Sequence, residues 1–446
     1  MSGIGGWARA TPDAPALVSL RGVRTFAEVD LVQRKVARVL RANGVSAGER
    51  VAVCSKNRDE ILEVCGGALR AGIVPVPINT LLTPPEVAYI LEDSGARWLF
   101  TDRSAPMSDS VERTVTFGDA YARLLFETEA LDEMSDHIRG RPMHYTSGTT
   151  GQPKGVFVAP CDEAEAARSS RRFCETWGLD STDMHLVCSP LAHSAPLRFA
   201  LRTLEAGGAV VVQERFDPAE TLAAVEMFGV SSTFVVPTHL QRIISLDRKG
   251  LARYDLSSIR MLVHAGAPIG EELKRRVIEI FPPASVWEFY GATEGQATRI
   301  SSTEWLARPG SVGKAHPGAG VEVRDPSSAP VPPEEVGQVW VTDPEAERWS
   351  YHGAPDKTEA AWNGDWFTVG DLGWLDGDGY LFLTGRKDDV IISGGVNVYP
   401  QEIEEAMSRH PGISEVVVYG APNEEWGQEV RADVVGAPGA TATEPE

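Results

Sequence analysis

The sequence predicts an α/β fold built on parallel sheet, followed by a strand-rich region and a small α+β unit. Three observations carry this. From about residue 25 to residue 290, short β-branched apolar runs alternate with helical patterns, the rhythm of strands joined by crossover helices. Beyond about residue 310 the helical patterns thin, and short strands separated by Gly, Pro and Asp turns take over. After residue 385 a single helix over 399–407 is flanked by strands at 390–392 and 415–419.

Taken in order, Thr25 opens a helix that runs to about Asn43, with Val29, Val36, Val39 and Leu40 apolar and Gly44 placed to stop it. Arg50–Cys54 reads as a buried strand, Asp59–Arg70 as a helix, and 72–77 as a strand with a closing turn. Thr83 is the expected N-cap of the next helix, with Pro84 and Pro85 in its first turn. The strand 98–100 follows, and the polar, acidic stretch 105–140 reads as a surface excursion. Further strands are expected at 184–188, Ala209–Val212, 233–236, Met261–His264 and 285–290. Asp376-Gly377-Asp378-Gly379 begins like a calcium loop, but Tyr380 stands where the third oxygen ligand belongs, so a hairpin turn is expected. Residues 436–446 are poor in core-forming side chains and are expected to fray.

Composition narrows the function. The chain has 446 residues, 42% hydrophobic and 24% charged, as in soluble globular proteins. A net charge of −21 argues against nucleic acid or an acidic membrane as partner. The cysteines (Cys54, Cys65, Cys161, Cys174 and Cys188) are odd in number and form no CxxC. Neither a disulfide framework nor a zinc site is expected, and reduced thiols suit a cytoplasmic protein. The first residues lack the basic-then-apolar pattern of a signal peptide, and no uninterrupted apolar stretch reaches membrane-spanning length.

One stretch cannot pack a core: His144-Tyr145-Thr146-Ser147-Gly148-Thr149-Thr150-Gly151-Gln152-Pro153-Lys154-Gly155. Its glycines let backbone approach a ligand closely, its hydroxyls and turn N–H groups are donors for phosphate oxygens, and its lysine adds a mobile charge. A Walker A loop needs Gly-Lys-Ser/Thr opening a helix. Here Lys154 follows proline, precedes glycine and leads into the strand-like Val156-Phe157-Val158, so this is a phosphate loop of another kind. Four groups follow it. Ser189-Pro190-Leu191-Ala192-His193-Ser194 puts a histidine at a strand mouth. Val263-His264-Ala265-Gly266-Ala267-Pro268 ends a strand in small residues, with room for a flat ring. Glu288-Phe289-Tyr290-Gly291-Ala292-Thr293-Glu294 sets an aromatic face, a hydroxyl and a carboxylate in one loop. Gly370-Asp371 and Arg386 flank the strand-rich region. A carboxylate such as Glu294 suits Mg²⁺ held jointly with phosphates, and one such as Asp371 suits ribose hydroxyls.

In this order and spacing the groups resemble the adenylate-forming enzyme superfamily, in its acyl-CoA synthetase (acyl-CoA ligase) branch, from about Thr25 to the end. The resemblance implies two sheet-and-helix subdomains plus a small β-barrel in a large N-terminal AMP-binding domain, residues 1–384, and a small mobile α+β C-terminal domain, residues 385–446. It implies attack of a carboxylate on MgATP to give acyl-AMP, then transfer of the acyl group to coenzyme A. Carried over by position, Thr146, Ser147, Gly148, Thr149, Thr150 and Lys154 hold phosphates, Gly266, Ala267, Pro268 and Tyr290 frame adenine, and Gly291 is a further cofactor-binding position. Thr293 meets the α-phosphate, Glu294 binds Mg²⁺, and Asp371 and Arg386 bind ribose. Lys154, Thr293, Glu294 and His193 are the expected catalytic residues. His193, Ser194, Val236, His264, Ala265 and Gly266 are the expected acyl pocket. Asp388 is the hinge, Gly394 and Gly395 line the thiol tunnel, and Trp426 matches a position that packs on pantetheine. The resemblance also admits a homodimer.

Amino-acid-activating members of the family place an aspartate near the His193 region to hold the substrate ammonium; no acid lies in 191–196 here, so the resemblance favours a simple carboxylic acid. Family members continue past the strand at Val434 and carry a Gly-Lys whose lysine serves adenylation. This sequence stops first and has no lysine after Lys387. Either the sequence is a shortened form or the protein lacks that lysine. Two alternatives therefore stand beside the ligase: an enzyme that only makes thioester from preformed acyl-AMP, and a non-catalytic acyl-AMP-binding protein.

Overall fold

The computed structural model describes residues 3–103, 108–131, 138–146, 152–408, 410, 412–423 and 425–437. Six neighbouring strands of its largest sheet run parallel: Pro15–Ser19, Ala209–Val212, Met184–Val187, Ser232–Val235, Met261–His264 and Val286–Ala292. Apolar runs such as Ala209-Val210-Val211-Val212, buried throughout, are what a parallel strand covered on both faces requires. The direction reverses at Val286–Ala292, which turns back as Gly295–Ser301 with a register shift at Tyr290/Gly291. That hairpin lies at the C-terminal end of the parallel strands, where open α/β sheets bind ligands.

A second sheet is parallel throughout, ordered Val74–Ile78, Arg50–Cys54, Trp98–Thr101 and Arg113–Thr116. Both sheets share one core: Phe26, Leu40, Leu62 and Phe100 join Leu17, Val187, Leu197 and Val210 in a single buried cluster. The expected helix after Thr25 is Phe26–Ala42, closed by a capping box with Glu28. A second capping box joins Thr83 to Glu86 at Pro84–Ser94. Such reciprocal bonds satisfy two otherwise orphaned N–H groups.

Three expectations need correction. The stretch 105–140 is not a plain surface excursion: it contributes the edge strand Arg113–Thr116 and the helix Asp119–Phe126. Its polarity misleads because, among its described residues, Val115, Phe117 and Tyr121 are the only buried apolar side chains, Phe117 and Tyr121 packing on Phe100. Glu163–Trp177, for which no helix is expected, is helical and buries only Trp177. The strand-rich region does not close into a barrel among the described residues. Ser311–Ala315 pairs with Gly295–Ser301 on one side and, through a bulge, with Leu381–Arg386 on the other. The main sheet therefore continues through Asp371–Leu375 and Gly337–Thr342 and ends at Trp362–Asn363. Residues 391–436 form a separate sheet of four strands, with the helix Pro400–Ser408 against Ile413–Asn423.

One buried carboxylate gives the fold a pH signature. Glu63, on the helix Asp59–Arg70, is fully buried; Tyr121 Oη donates to it at 3.1 Å and Arg24 Nε lies 3.2 Å away. Burial raises its carboxyl to about 7, against the pull of Arg24 and the Tyr121 bond. The folded state then holds a proton that the unfolded chain releases near the ordinary glutamate value, so this group's contribution is present at low pH and is lost as pH rises through about 7. Glu63→Gln is expected to flatten the loss of stability between pH 5 and 8, gaining up to about 3 kcal/mol on wild type at the upper end. Urea melts at the two pH values measure it, and parallel profiles for the two proteins refute it.

Candidate active site

The phosphate-loop sequence forms a hairpin. His144–Thr146 pairs antiparallel with Lys154–Val158, and the Thr146↔Lys154 pair closes the ladder at the loop. Ser147, Gly148, Thr149 and Thr150 lie outside the described residues. The helix Pro84–Ser94 braces the base: Tyr145 Oη donates to Asp93 Oδ2 at 2.5 Å, and Tyr89 Oη to the Pro153 carbonyl at 3.2 Å. On its other edge Lys154–Val158 pairs with Trp349–Tyr351, bringing Tyr351 opposite Val156. The Lys154 ammonium sits 5.1 Å from the centre of the Tyr351 ring, a cation–π distance.

Tyr351 joins this hairpin to the one that ends the parallel strands. Its hydroxyl donates to Glu294 Oε1 at 2.8 Å. Burial raises the Glu294 carboxyl, while the Tyr351 bond and Arg386 work against it. Lys154 is held below the usual lysine range by burial and by neighbouring Lys357, with Glu294 and Asp388 pulling the other way. Four parts of the chain thus place two ammonium groups, two carboxylates and a phenol in one electrostatic neighbourhood.

A third group lies beside these. Tyr290 Oη donates to Asp371 Oδ2 at 2.6 Å, and Arg386 Nε is 3.2 Å from Asp371 Oδ1. The pairing of Asp371–Leu375 with Leu381–Arg386 sets Asp371 opposite Arg386. Gly370, at φ +88°, accepts the Lys387 N–H through its carbonyl at 2.8 Å. Burial raises the Asp371 carboxyl against the Tyr290 and Arg386 contacts. The turn Lys387–Asp389, which contains Asp388, follows directly.

The small-residue turn follows the strand Met261–His264. Gly266 has φ +89°, and a β-carbon there would meet only Val236 Cγ1, at 3.7 Å. Ala265 packs with Phe234 and Phe289. His264 stands apart: its side chain has no exposed surface and lies 3.9 Å from Glu288, which is ion-paired to Lys274. Alternation along the strand turns its side chain to the opposite face from Val263 and Ala265. His193 precedes the helix Ser194–Ala206 and lies 3.4 Å from Asn79 Nδ2. Burial lowers its imidazole, and lowers that of nearby His144 to about 3, so His144 is neutral at physiological pH. Gly394 and Gly395 have φ +58° and +83°, and Gly394 meets Trp426: its N–H donates to the Trp426 carbonyl at 2.8 Å, and a β-carbon on it would lie 2.6 Å from the indole.

Sequence reasoning missed Tyr351, Lys357 and Asp93. Tyr351 sits on a three-residue strand too short for a periodic signal. Lys357 opens no motif of its own, and Asp93 is one of several helix acids.

The sequence profile of the AMP-binding enzyme family matches residues 6–348, and that of the AMP-binding enzyme C-terminal domain matches 402–446. The chain belongs to the AMP-binding enzyme family, within the adenylate-forming superfamily. It is 33% identical to a fatty acid–[acyl-carrier-protein] ligase, ScoC, of Streptomyces coeruleorubidus, over 97% of this chain and 85% of that protein. It is 34% identical to a feruloyl-CoA synthase of an Amycolatopsis species, over 98% and 89%. Among solved structures, o-succinylbenzoate CoA synthetase (MenE) of Bacillus subtilis in complex with its acyl-adenylate intermediate superposes with a TM-score of 0.85. That match has 29% identity and covers 98% of this chain and 89% of MenE. ATP-bound MatB from Rhodopseudomonas palustris superposes with 0.84 at 28% identity, covering 99% and 90%.

Tyr351→Phe removes the only phenol bond to Glu294 among the described residues. Because that bond favours the charged carboxylate, the Glu294 carboxyl is expected to rise further. Carboxyl-carbon NMR titration of glutamate-labelled protein measures it, and an unchanged Glu294 titration refutes the linkage.

Proposed function

We propose that this chain is an AMP-forming acid–thiol ligase that activates a carboxylic acid with ATP and passes the acyl group to coenzyme A. The observation that carries the reading is the convergence of Lys154, Glu294, Tyr290, Asp371 and Arg386, drawn from distant parts of the chain, at the C-terminal end of one sheet. Family membership and the CoA ligases among its relatives support it.

Adenylation brings one anion against another. A carboxylate oxygen attacks the α-phosphorus, the bond to the bridging oxygen breaks, and pyrophosphate leaves. Positive charge placed in advance offsets that repulsion. Lys154, with Thr146 and the loop it closes, is the phosphate grip; Thr293 faces the α-phosphate. Glu294 fits Mg²⁺: it is a hard oxygen donor, one of its oxygens oriented by Tyr351, in the one-carboxylate-plus-phosphates arrangement this ion favours. The ion, when bound, neutralises charge on the phosphates. Asp371, oriented by Tyr290 and Arg386, accepts from the ribose hydroxyls, and Gly266-Ala267-Pro268 with Tyr290 and Gly291 borders the base. In the second step the thiol sulfur bonds to the acyl carbon, the acyl–phosphate bond breaks, AMP leaves and the thiol proton is released. That step asks mainly for positioning, which Gly394, Gly395 and Trp426 supply. A division at residue 384/385, with Asp388 as hinge, separates the regions used in the two steps. Among the described residues no helix is long and apolar enough to cross a membrane.

The full chain, given ATP, Mg²⁺, coenzyme A and a panel of carboxylic acids, is expected to release pyrophosphate only with a productive acid and to yield the acyl-CoA by mass spectrometry. Lys154→Ala and Glu294→Gln each lower kcat/KM by about 100-fold or more. Gly394→Ala forces a β-carbon towards the Trp426 indole and is expected to slow thioester formation from synthetic acyl-AMP more than it slows pyrophosphate release. Acid-independent pyrophosphate release, or AMP formation with no thioester from any acid, overturns the reading.

A further inference from the structure

Between the helices Glu163–Trp177 and Ser194–Ala206 and the 292–296 turn lies a cleft of about 1340 Å³. Thr293 and Glu294 line one side of it, and Ser194, Leu197, Arg198 and Leu201 line another. Arginines are abundant around it; Arg9, Arg171 and Arg348 are exposed to solvent, and the half-buried ones are matched with one exception. The half-buried Arg34, Arg70, Arg139, Arg141, Arg172 and Arg202 each have a carboxylate within ion-pair reach: Asp30 for the first two, then Glu163, Glu347, Asp343 and Glu205.

Arg198 is the exception. Among the half-buried arginines of the cleft it alone makes no ion pair with a described residue, and its side chain makes no hydrogen bond to one. The carboxylate that most influences it, Glu347, is already bonded to Arg141, and the other charges acting on it are the cations Arg202 and Arg141. Burial and those cations lower the guanidinium to about 10, so it remains charged at neutral pH. A desolvated cation without a partner is costly to keep. One that lines a cleft meets its counter-charge when an anion enters, and a guanidinium matches a carboxylate by two parallel hydrogen bonds.

Position selects which anion. Arg198 lies four residues after Ser194 on the helix that opens after His193. The two share a helix face, about 6 Å apart along the axis. Leu197 and Leu201 form the apolar wall beside it. The cleft that reaches Arg198 also reaches Thr293 and Glu294.

Resting on the ligase reading above, we propose that Arg198 anchors a second carboxylate on the acid, so that the preferred substrate is a dicarboxylic acid activated at one end and held by Arg198 at the other. The bland role for Arg198, support of the neighbouring ion pairs, predicts no dependence on the second charge.

The test compares acids matched in length and shape: alkanoic against alkanedioic acids, and benzoate against its carboxylated forms. Acid-dependent pyrophosphate release is measured for the full chain, and equilibrium binding of the corresponding acyl-sulfamoyladenosines is read without turnover. Wild type is expected to favour the best diacid over its monoacid partner by about 100-fold in kcat/KM, chiefly through KM, as suits a charge-assisted pair in a desolvated site. Arg198→Met collapses that ratio, Arg198→Gln collapses it equally, and Arg198→Lys restores part of it. Equal use of both acids by wild type, or a diacid preference that survives Arg198→Met with the fold intact, overturns the proposal. A substitution that raises KM for coenzyme A while leaving the acid ratio unchanged also overturns it, by assigning Arg198 to the thiol's phosphates. If no acid of either kind supports pyrophosphate release and neither kind of sulfamoyladenosine binds, it is the ligase reading that fails. Monoacid turnover without diacid preference leaves the ligase reading standing and removes only this one.

Discussion

Tyr351 couples the two halves of the site. Its ring lies against the Lys154 ammonium and its hydroxyl bonds Glu294, so one side chain fixes the distance between a cation from the loop hairpin and a carboxylate from the sheet's terminal hairpin. Both groups are shifted away from their charged forms by burial. Neither shift is compensated by a direct Lys154–Glu294 ion pair; Tyr351 stands between them. A lysine and a glutamate in contact would satisfy each other. Held apart on a phenol, neither neutralises the other by contact.

The same logic orders the neighbouring group. Asp371 is held by a phenol from one strand and a guanidinium from another, and strand register fixes the second contact because Asp371 and Arg386 are cross-strand partners. Arg386 is also the last residue before the turn Lys387–Asp389. Arg386 therefore joins the Asp371 pair directly to that turn, and Asp388 contributes to the charge around Lys154. Lys154, Glu294 and Asp388, from distant parts of the chain, thus share one electrostatic neighbourhood.

Much of this was legible in sequence for definite physical reasons. Buried parallel strands announce themselves as apolar runs, and Arg50–Cys54 and Ala209–Val212 are strands as expected. Capping boxes at Thr25 and Thr83 follow from Ser/Thr and Glu at fixed spacing. The motifs around Lys154, Glu294 and Asp371 are local, so the chain order carried them. What escaped is non-local. Tyr351 matters only because a three-residue strand pairs with the loop hairpin, and neither its length nor its flanks advertise that. The burial of His264 beside Glu288 also escaped, because sequence proximity to Gly266 says nothing of which sheet face a side chain takes. The strand-rich region joins the main sheet through a pairing that carries a bulge at Ser311/Gly313, a one-residue event that no periodicity reveals. Arg198 was invisible for the opposite reason: its significance is the absence of a partner among many arginines that have one.

The buried Lys274–Glu288 pair shows how the strand ends are held. Lys274 and Glu288 are buried in contact, with Trp305 4.7 Å from the Lys274 ammonium and His264 alongside. Burial lowers the lysine and raises the glutamate, while each partner opposes the other's shift. Such a pair adds little net stability over apolar packing, but removing one partner strands a buried charge. Glu288 and His264 are cross-strand partners, two residues before Tyr290 and Gly266. A pair that tolerates only one register is therefore placed where a one-residue slip would turn Tyr290 away from Asp371 and move Gly266 out of its turn. Its cost in solvation is the cost of positional precision at the mouth of the sheet, and the helix Glu271–Ile280 that supplies Lys274 is tied to the site through it.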